Sequence, residues 1–269
     1  MYQGLNYGID FRGGTNIQIR FKEVPNLDQL RNFFSEQDLG NVMLQTFGAV
    51  EDREILLGLS VDNPLGTGEM LTAGLREMLQ PNYPEMEIRR IETIGPKVGD
   101  ELKTSALQAI LIALGLVLIY ITFRFQWRQG IAAIITLLHD VMVVVGIFSI
   151  FDKEFTLPVI AALLTVVGYS LNDTIVIFDR IRENISKFRK RELLPLINQS
   201  VTETLSRTLL TSGTTLMVVL ALVFLGGEII HDFAFALLVG VLIGTYSSIY
   251  VASPTVLWLT KIAPPKTSD

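Results

Sequence analysis

The sequence predicts an α-helical polytopic membrane protein with an N-terminal α+β domain of ferredoxin-like order. Three observations predict it. Hydrophobic residues make up 49 % of the 269 and charged residues only 18 %, against about 25 % charged in a soluble globular domain. The charge is divided unevenly: residues 1–104 hold 10 Lys+Arg and 16 Asp+Glu, a net −6, whereas residues 105–269 hold 12 and 11, a net +1. Beyond residue 104 the chain carries five long apolar runs, and before it the apolar residues recur in short periods.

The head reads in order as β-α-β-β-α-β. Thr15–Phe21 alternates through Ile17, Ile19 and Phe21 and suits a strand. Asn26–Asp38 places Leu27, Leu30, Phe33 and Phe34 at helical spacing behind an Asn cap. Asn41–Phe47 and Glu54–Val61 read as strands, Gly68–Leu79 as a helix and Met86–Ile94 as a last strand. Gly8–Thr15 is glycine-rich but lacks the Lys of a phosphate loop, and reads as a turn into the first strand.

The five runs are Ala106–Phe123, Gly130–Phe151, Phe155–Phe178, Thr208–Leu225 and Phe233–Thr260. Each meets the roughly 17–25 apolar residues that a bilayer crossing needs. The only charged or titratable residues among them, tyrosines aside, are His139, Asp140 and Asp173. Eleven Lys and Arg fall in the links 124–129 and 179–207 and in the tail, against Lys153 alone in the opposite links. By the positive-inside rule the C-terminus is cytoplasmic and the head external. The domains are then an external head (1–104), a five-helix membrane domain (105–260) with a cytoplasmic loop (179–207), and a cytoplasmic tail (261–269). An exported head needs an apolar segment ahead of it, and Met1–Leu5 is no signal peptide. The expectation is that a first span is missing from this chain and that the complete protein has six.

Composition excludes several classes. An acidic head without a basic patch argues against a nucleic-acid partner. With no Cys, disulfide frameworks, thiolate metal sites and cysteine nucleophiles are absent, and two His leave little for a His-rich metal site. The chemistry therefore rests on the intramembrane polar residues. A carboxylate at the position of Asp173 costs roughly 2.5–3.5 kcal/mol on insertion scales, which makes it a functional candidate for reversible protonation. Thr165, Tyr169 and Ser170 fall near its face. Arg207 is the candidate partner, entering the fourth span on a stripe with Thr211 and Thr215. His139 and Asp140, adjacent in the second span, are candidates for a secondary relay, although neighbours on a helix point in different directions. Asp179 and Arg180 sit at a span end and read as interfacial, and the basic run 180–191 faces anionic lipid and cytosol. Gly240, Gly244 and Ser248 form a small-residue seam for close helix packing. The sequon-like Asn172-Asp-Thr174 lies within a span and is discarded.

Several of these segments carry a resemblance that runs from end to end. They are Gly8-Ile-Asp-Phe with Gly13-Gly-Thr, Ile94-Gly-Pro-Lys-Val-Gly, His139-Asp-Val, Gly168-Tyr-Ser-Leu-Asn-Asp-Thr-Ile-Val, Asp179-Arg-Ile-Arg-Glu-Asn, Arg207–Thr215 and Gly244–Ala252. The third-span and Arg207 blocks are the specific ones. The chain resembles the SecD/SecF family, membrane subunits of bacterial protein export in the RND superfamily. That resemblance implies a six-span half-transporter in the inner membrane that is not an enzyme. It implies SecD as partner, the SecYEG translocon with SecA, YajC as a further candidate, and contact with exported preprotein and lipid. It implies that Asp173 and Arg207 match essential residues, with Thr211 beside them, and that the proton-motive force promotes preprotein translocation. No cofactor is implied; the coupling ion is H+, with Na+ the alternative. The mechanism expected is two-state: protonation of Asp173 releases Arg207, the bundle repacks, and the head responds through the link 94–103.

Other classes weigh less. An RND-type proton-coupled exporter of small molecules or lipids calls for a larger external region. An intramembrane aspartic enzyme would need Asp140 and Asp173 at matched depth, and no Gly-x-Gly-Asp block is present. A passive assembly subunit would use Asp173 and Arg207 as a structural pair.

Overall fold

The computed structural model describes residues 4–37, 39, 42–48, 50–124, 127–188 and 192–262. Asp38, Asn41, Arg189, Lys190, Arg191, Lys266 and the first three residues lie outside the described residues.

The head comprises β1 (Asn6–Tyr7), α1 (Ile9–Arg12), β2 (Gly14–Arg20), α2 (Leu27–Ser35), β3 (Val42–Phe47), β4 (Glu54–Leu59), α3 (Glu69–Leu79) and β5 (Glu87–Ile94). Its sheet has the order β3-β4-β2-β5, with every neighbour antiparallel, the ferredoxin-like arrangement expected from the periodicity. Period-two alternation sends Ile17, Ile19, Ile55, Leu57 and Leu59 into one core with Leu30 and Phe34 of α2 and Leu71 and Leu75 of α3. Asn26 starts α2 as expected: its side chain accepts from the N–H of Asp28 at 3.0 Å and of Gln29 at 3.3 Å.

The remaining elements are α4 (Pro96–Arg124), α5 (Trp127–Ile150), β6 (Glu154–Phe155), α6 (Leu157–Lys187), α7 (Leu193–Leu225), α8 (Glu228–Ser247) and α9 (Ser253–Ile262). Among the described residues five helical stretches are long and apolar enough to cross a membrane: Pro96–Ile121, Trp127–Ile150, Leu157–Lys187, Leu193–Leu225 and Ile230–Ile262. Of these α6 is the most buried, and α4 and α7 expose most of their apolar surface.

Four expectations change. The glycine-rich segment is not a plain turn, since Ile9–Arg12 closes one helical turn between two strands. Gly13 and Gly14 follow at φ +74° and +143°. A Cβ on Gly14 would stand 2.5 Å from the Leu59 carbonyl, so glycine is required there. The link 94–103 is mostly the first turns of α4, because nothing after Pro96 breaks the helix. The segment 179–207 is largely helix as well, with α6 running nine residues past Phe178 and α7 starting at Leu193. Finally, the fifth run is not one α-helix. Pro254 has no N–H to give to Tyr250, and the chain passes through a π-helical segment, Ser248–Ala252, between α8 and α9.

Head and bundle are joined around β6. β1 and β6 pair in parallel, Asn6 with Glu154 and Tyr7 with Phe155. The Gly8 N–H donates to the Phe155 carbonyl at 3.0 Å. The Leu157 N–H donates to the Asp10 carboxylate at 2.9 Å, so a head residue caps the N-terminus of α6. Tyr7, Phe11, Phe155 and Phe148 pack around this point in edge and tilted contacts. Two-residue strands carry no period, which hides this junction in the sequence.

Gly240 and Gly244 of α8 stand close against α6. A Cβ on Gly240 would overlap Val166 of α6, and one on Gly244 would come within 3.0 Å of the Ser170 Cβ. Gly240→Ala is therefore expected to destabilise the bundle by about 1–3 kcal/mol through overpacking, despite the helix propensity gained. Thermal unfolding in detergent checks this, and Val166→Ala added to Gly240→Ala should restore part of the loss. A more stable Gly240→Ala protein would contradict the packing account.

Candidate functional site

Two carboxylates lie buried in the middle of the bundle, Asp140 and Asp173. Asp173 sits midway along α6, because that helix continues well beyond the apolar run. Its carboxylate accepts from the Ser212 hydroxyl of α7 at 3.4 Å. Ser212 is a hub: the Tyr169 hydroxyl donates to its oxygen at 3.2 Å, and the Thr245 hydroxyl of α8 lies 2.7 Å away. Four side chains from three helices thus form one chain of hydroxyls ending on a carboxylate.

Asp140 of α5 holds a second network. Ser170 of α6 donates to its Oδ2 at 2.5 Å and Ser247 of α8 at 2.8 Å, while His139 Nδ1 lies 3.0 Å from its Oδ1. His139 and Asp140 are therefore in contact although adjacent in the chain. The two networks run side by side. Tyr169 and Ser170 are consecutive on α6, and Thr245 and Ser247 are two apart on α8, so each helix serves both carboxylates.

Arg207 does not form an ion pair with Asp173. It is exposed on α7, close enough to act on the carboxylate electrostatically but without a salt bridge among the described residues. The hydroxyl of Thr211 is turned to the Arg207 and Thr208 carbonyls at 3.0 Å, and that of Thr215 to the Thr211 carbonyl at 3.0 Å. The side of α7 that meets α6 is one residue over: Ser200, Thr204, Thr208 and Ser212, at intervals of four, are all buried. A step of one residue turns a helix face by about 100°. Sequence reasoning missed Ser212, Thr245 and Ser247, and the run of Ser and Thr at positions 200, 204, 208 and 212 was the signal that could have found Ser212. The hydroxyls of Thr174 and Thr208 are buried without a partner among the described residues.

At the end of the bundle far from the head, charges pair with one another. Arg124 of α4 meets Asp179 of α6 at 2.9 Å, and Arg180 meets Glu203 of α7 and Glu183, each at 2.6 Å. Asn184 donates to Ser200 and Glu203 at 2.9 Å. Asp179 and Arg180 thus lock helix ends together. Among the described residues no group of three or more acidic or His side chains is arranged to hold a metal.

A small α+β head on five membrane-capable helices, with two buried carboxylates among hydroxyls, defines a multi-pass membrane protein built around intramembrane ionisable groups. Family models place it further. The model of the protein export membrane protein SecD/SecF, C-terminal, matches residues 75–262, and that of the SecD/SecF GG motif matches residues 3–23. The chain belongs to the SecF subunits of the SecD/SecF protein-export family. It is 50 % identical to the protein translocase subunit SecF of Desulfurispirillum indicum over 256 residues, 93 % of this chain and 81 % of that one. It is 48 % identical to the Vibrio alginolyticus SecF, over 95 % of this chain and 80 % of that one. Among solved structures it resembles SecDF, a translocon-associated membrane protein, from Thermus, with a TM-score of 0.83 and 41 % identity over 95 % of this chain. The chain spans 34 % of that SecDF polypeptide. A SecDF structure in a super-membrane-facing form gives a TM-score of 0.70 at 42 % identity, over 97 % of this chain and 35 % of that one.

The Asp140 network yields a quantitative expectation. A hydrogen bond between membrane helices is worth about 0.6 kcal/mol on average and up to about 1.7. Ser170→Ala should cost an amount in that range. Asp140→Ala should cost more, because it strands several donors at once. The double variant should lose less than the sum of the two. Unfolding of the detergent-solubilised protein measures all three, and strict additivity would contradict a shared network.

Proposed function

We propose that this protein works with SecD to couple an ion gradient to the outward movement of preproteins, with Asp173 as the ion-carrying group. SecYEG with SecA is the machinery it serves, and YajC is a further partner. The coupling ion is H+, with Na+ as the alternative. The location is the bacterial inner membrane, with the head external and the C-terminus cytoplasmic. Family membership, the similarity to SecDF and the Lys/Arg distribution support this reading.

One observation carries the mechanism. Asp173 is buried at mid-helix, has a hydroxyl chain leading to it, and has no fixed counter-ion among the described residues. A carboxylate locked in a salt bridge holds one charge state; a carboxylate met by a long 3.4 Å bond from Ser212 is free to gain and lose a proton. Ser212 and Tyr169 each carry one exchangeable proton and two acceptor lone pairs, so they pass a proton by donating on one side while accepting on the other. Arg207 stands near as a mobile positive charge, attracted when Asp173 is ionised and released when it is neutral. Because Tyr169 and Ser170 are neighbours, a shift of α6 about Asp173 is felt by the Asp140 network and by α8. The route to the head is α6 itself, whose N-terminus the Asp10 carboxylate caps. One charge crossing 100 mV supplies about 2.3 kcal/mol, comparable to the few kcal/mol between two packings of a bundle.

The test is preprotein translocation in vesicles holding the complete protein with SecD and the translocon, under an imposed proton or sodium gradient. Asp173→Asn should abolish the gradient-dependent part of export while the complex still assembles. Ser212→Ala should slow it. Gradient-dependent export that survives Asp173→Asn intact would overturn the assignment.

A further inference from the structure

A cavity of about 360 Å³ lies between the helix-free face of the head's sheet and the adjoining end of the bundle. Asn16, Gln18 and Gln45 line it from the sheet, and Asp10, Glu154 and Asp232 line its other side. Glu154 is part of the junction itself, since its residue pairs with Asn6 in the β1–β6 ladder. The two flanking carboxylates are committed: Asp10 accepts the Leu157 N–H, and Asp232 is paired with Lys153 at 2.8 Å. The Glu154 carboxylate has no hydrogen bond or ion pair among the described residues.

The charged surroundings are asymmetric. Asp10 and Arg12 approach from α1 and Asp232 from α8, all three acting on Glu154 electrostatically. Lys153 precedes it but is held by Asp232. Arg90 and Glu92, across the cavity on β5, neutralise each other. Lys103 of α4 stacks over the Tyr7 ring, 5.1 Å from its centroid. The result is a partly buried carboxylate with two negative neighbours and one positive one.

We propose that Glu154 is a protonation latch: neutral, it lets the β1–β6 ladder and the Asp10 cap hold the head against the bundle, and ionised, it is repelled by Asp10 and Asp232 and loosens that junction. Burial pushes its carboxyl from the ordinary 4.5 up to about 7, with Asp232 and then Asp10 adding to the rise and Arg12 opposing it. The docked state therefore binds the proton more tightly than the undocked one. Docking is strongest below pH 4.5, weakens by up to about tenfold per pH unit as pH rises towards 7, and levels off above it. The covalent path from β5 into α4 runs through Gly95, whose backbone is the least restricted of any residue type. The latch stands or falls independently of whether Asp173 carries the coupling ion.

The chain has no native cysteine, so two spin labels can be placed uniquely. Met70→Cys on α3 and Phe151→Cys beside β6 are both exposed, at 70 % and 65 %. Electron-spin distance distributions are recorded on the full protein in lipid nanodiscs at about pH 5 and about pH 8.5, either side of the titration. The wild-type protein should pass from a narrow, short distribution to a broader, longer one. Glu154→Gln should keep the short distribution at both pH values. Asp232→Asn, which removes a repulsion and frees Lys153, should keep the transition but move it to lower pH. A wild-type distribution that ignores pH, or a Glu154→Gln protein that still responds, would overturn the latch.

Discussion

A carboxylate inside an apolar bundle must be met by donors, because its desolvation costs several kcal/mol if nothing replaces the lost water. Asp140 and Asp173 set that requirement here, and much of the bundle's polar content answers it. Asp140 draws Ser170, Ser247 and His139, and Asp173 draws Ser212 with Tyr169 behind it. These donors come from α5, α6, α7 and α8, so the helices are fixed in register by the groups they must satisfy. Gly240 and Gly244 are part of the same solution. Without them α8 would stand too far from α6 for Thr245 and Ser247 to reach the networks.

The two carboxylates differ in how completely they are satisfied. Asp140 has three short contacts from three residues, an arrangement suited to a fixed structural role. Asp173 has one long contact, a nearby arginine that does not bind it, and buried Thr174 and Thr208 hydroxyls without partners among the described residues. That contrast, rather than the presence of charge alone, supports the proposal that Asp173 is the group that changes state.

Much of this was legible in the sequence. The period-two runs gave the four-stranded sheet, Asn26 marked a helix start, and five uncharged or nearly uncharged runs marked the spans. Asp173 stood out because a charge there is costly. The partners were less legible. Arg207 is the conspicuous residue of α7, yet the buried face is set by Ser200, Thr204, Thr208 and Ser212, one residue round the helix, and only packing against α6 decides between the two stripes. Helix ends were misjudged because polar residues such as Arg180 and Glu203 satisfy one another and let α6 and α7 continue past the apolar runs. The β1–β6 junction escaped because two residues are too few for a pattern.

The central claim is that Asp173 gains and loses a proton within its hydroxyl network. Infrared difference spectroscopy of the protein in lipid, stepped between low and high pH, reads carboxyl protonation directly. Beside the Glu154 signal, a second buried carboxyl band should follow pH in the wild-type protein, vanish in Asp173→Asn, and shift in Ser212→Ala as its hydrogen bond is lost. A difference spectrum that Asp173→Asn leaves unchanged would contradict the account.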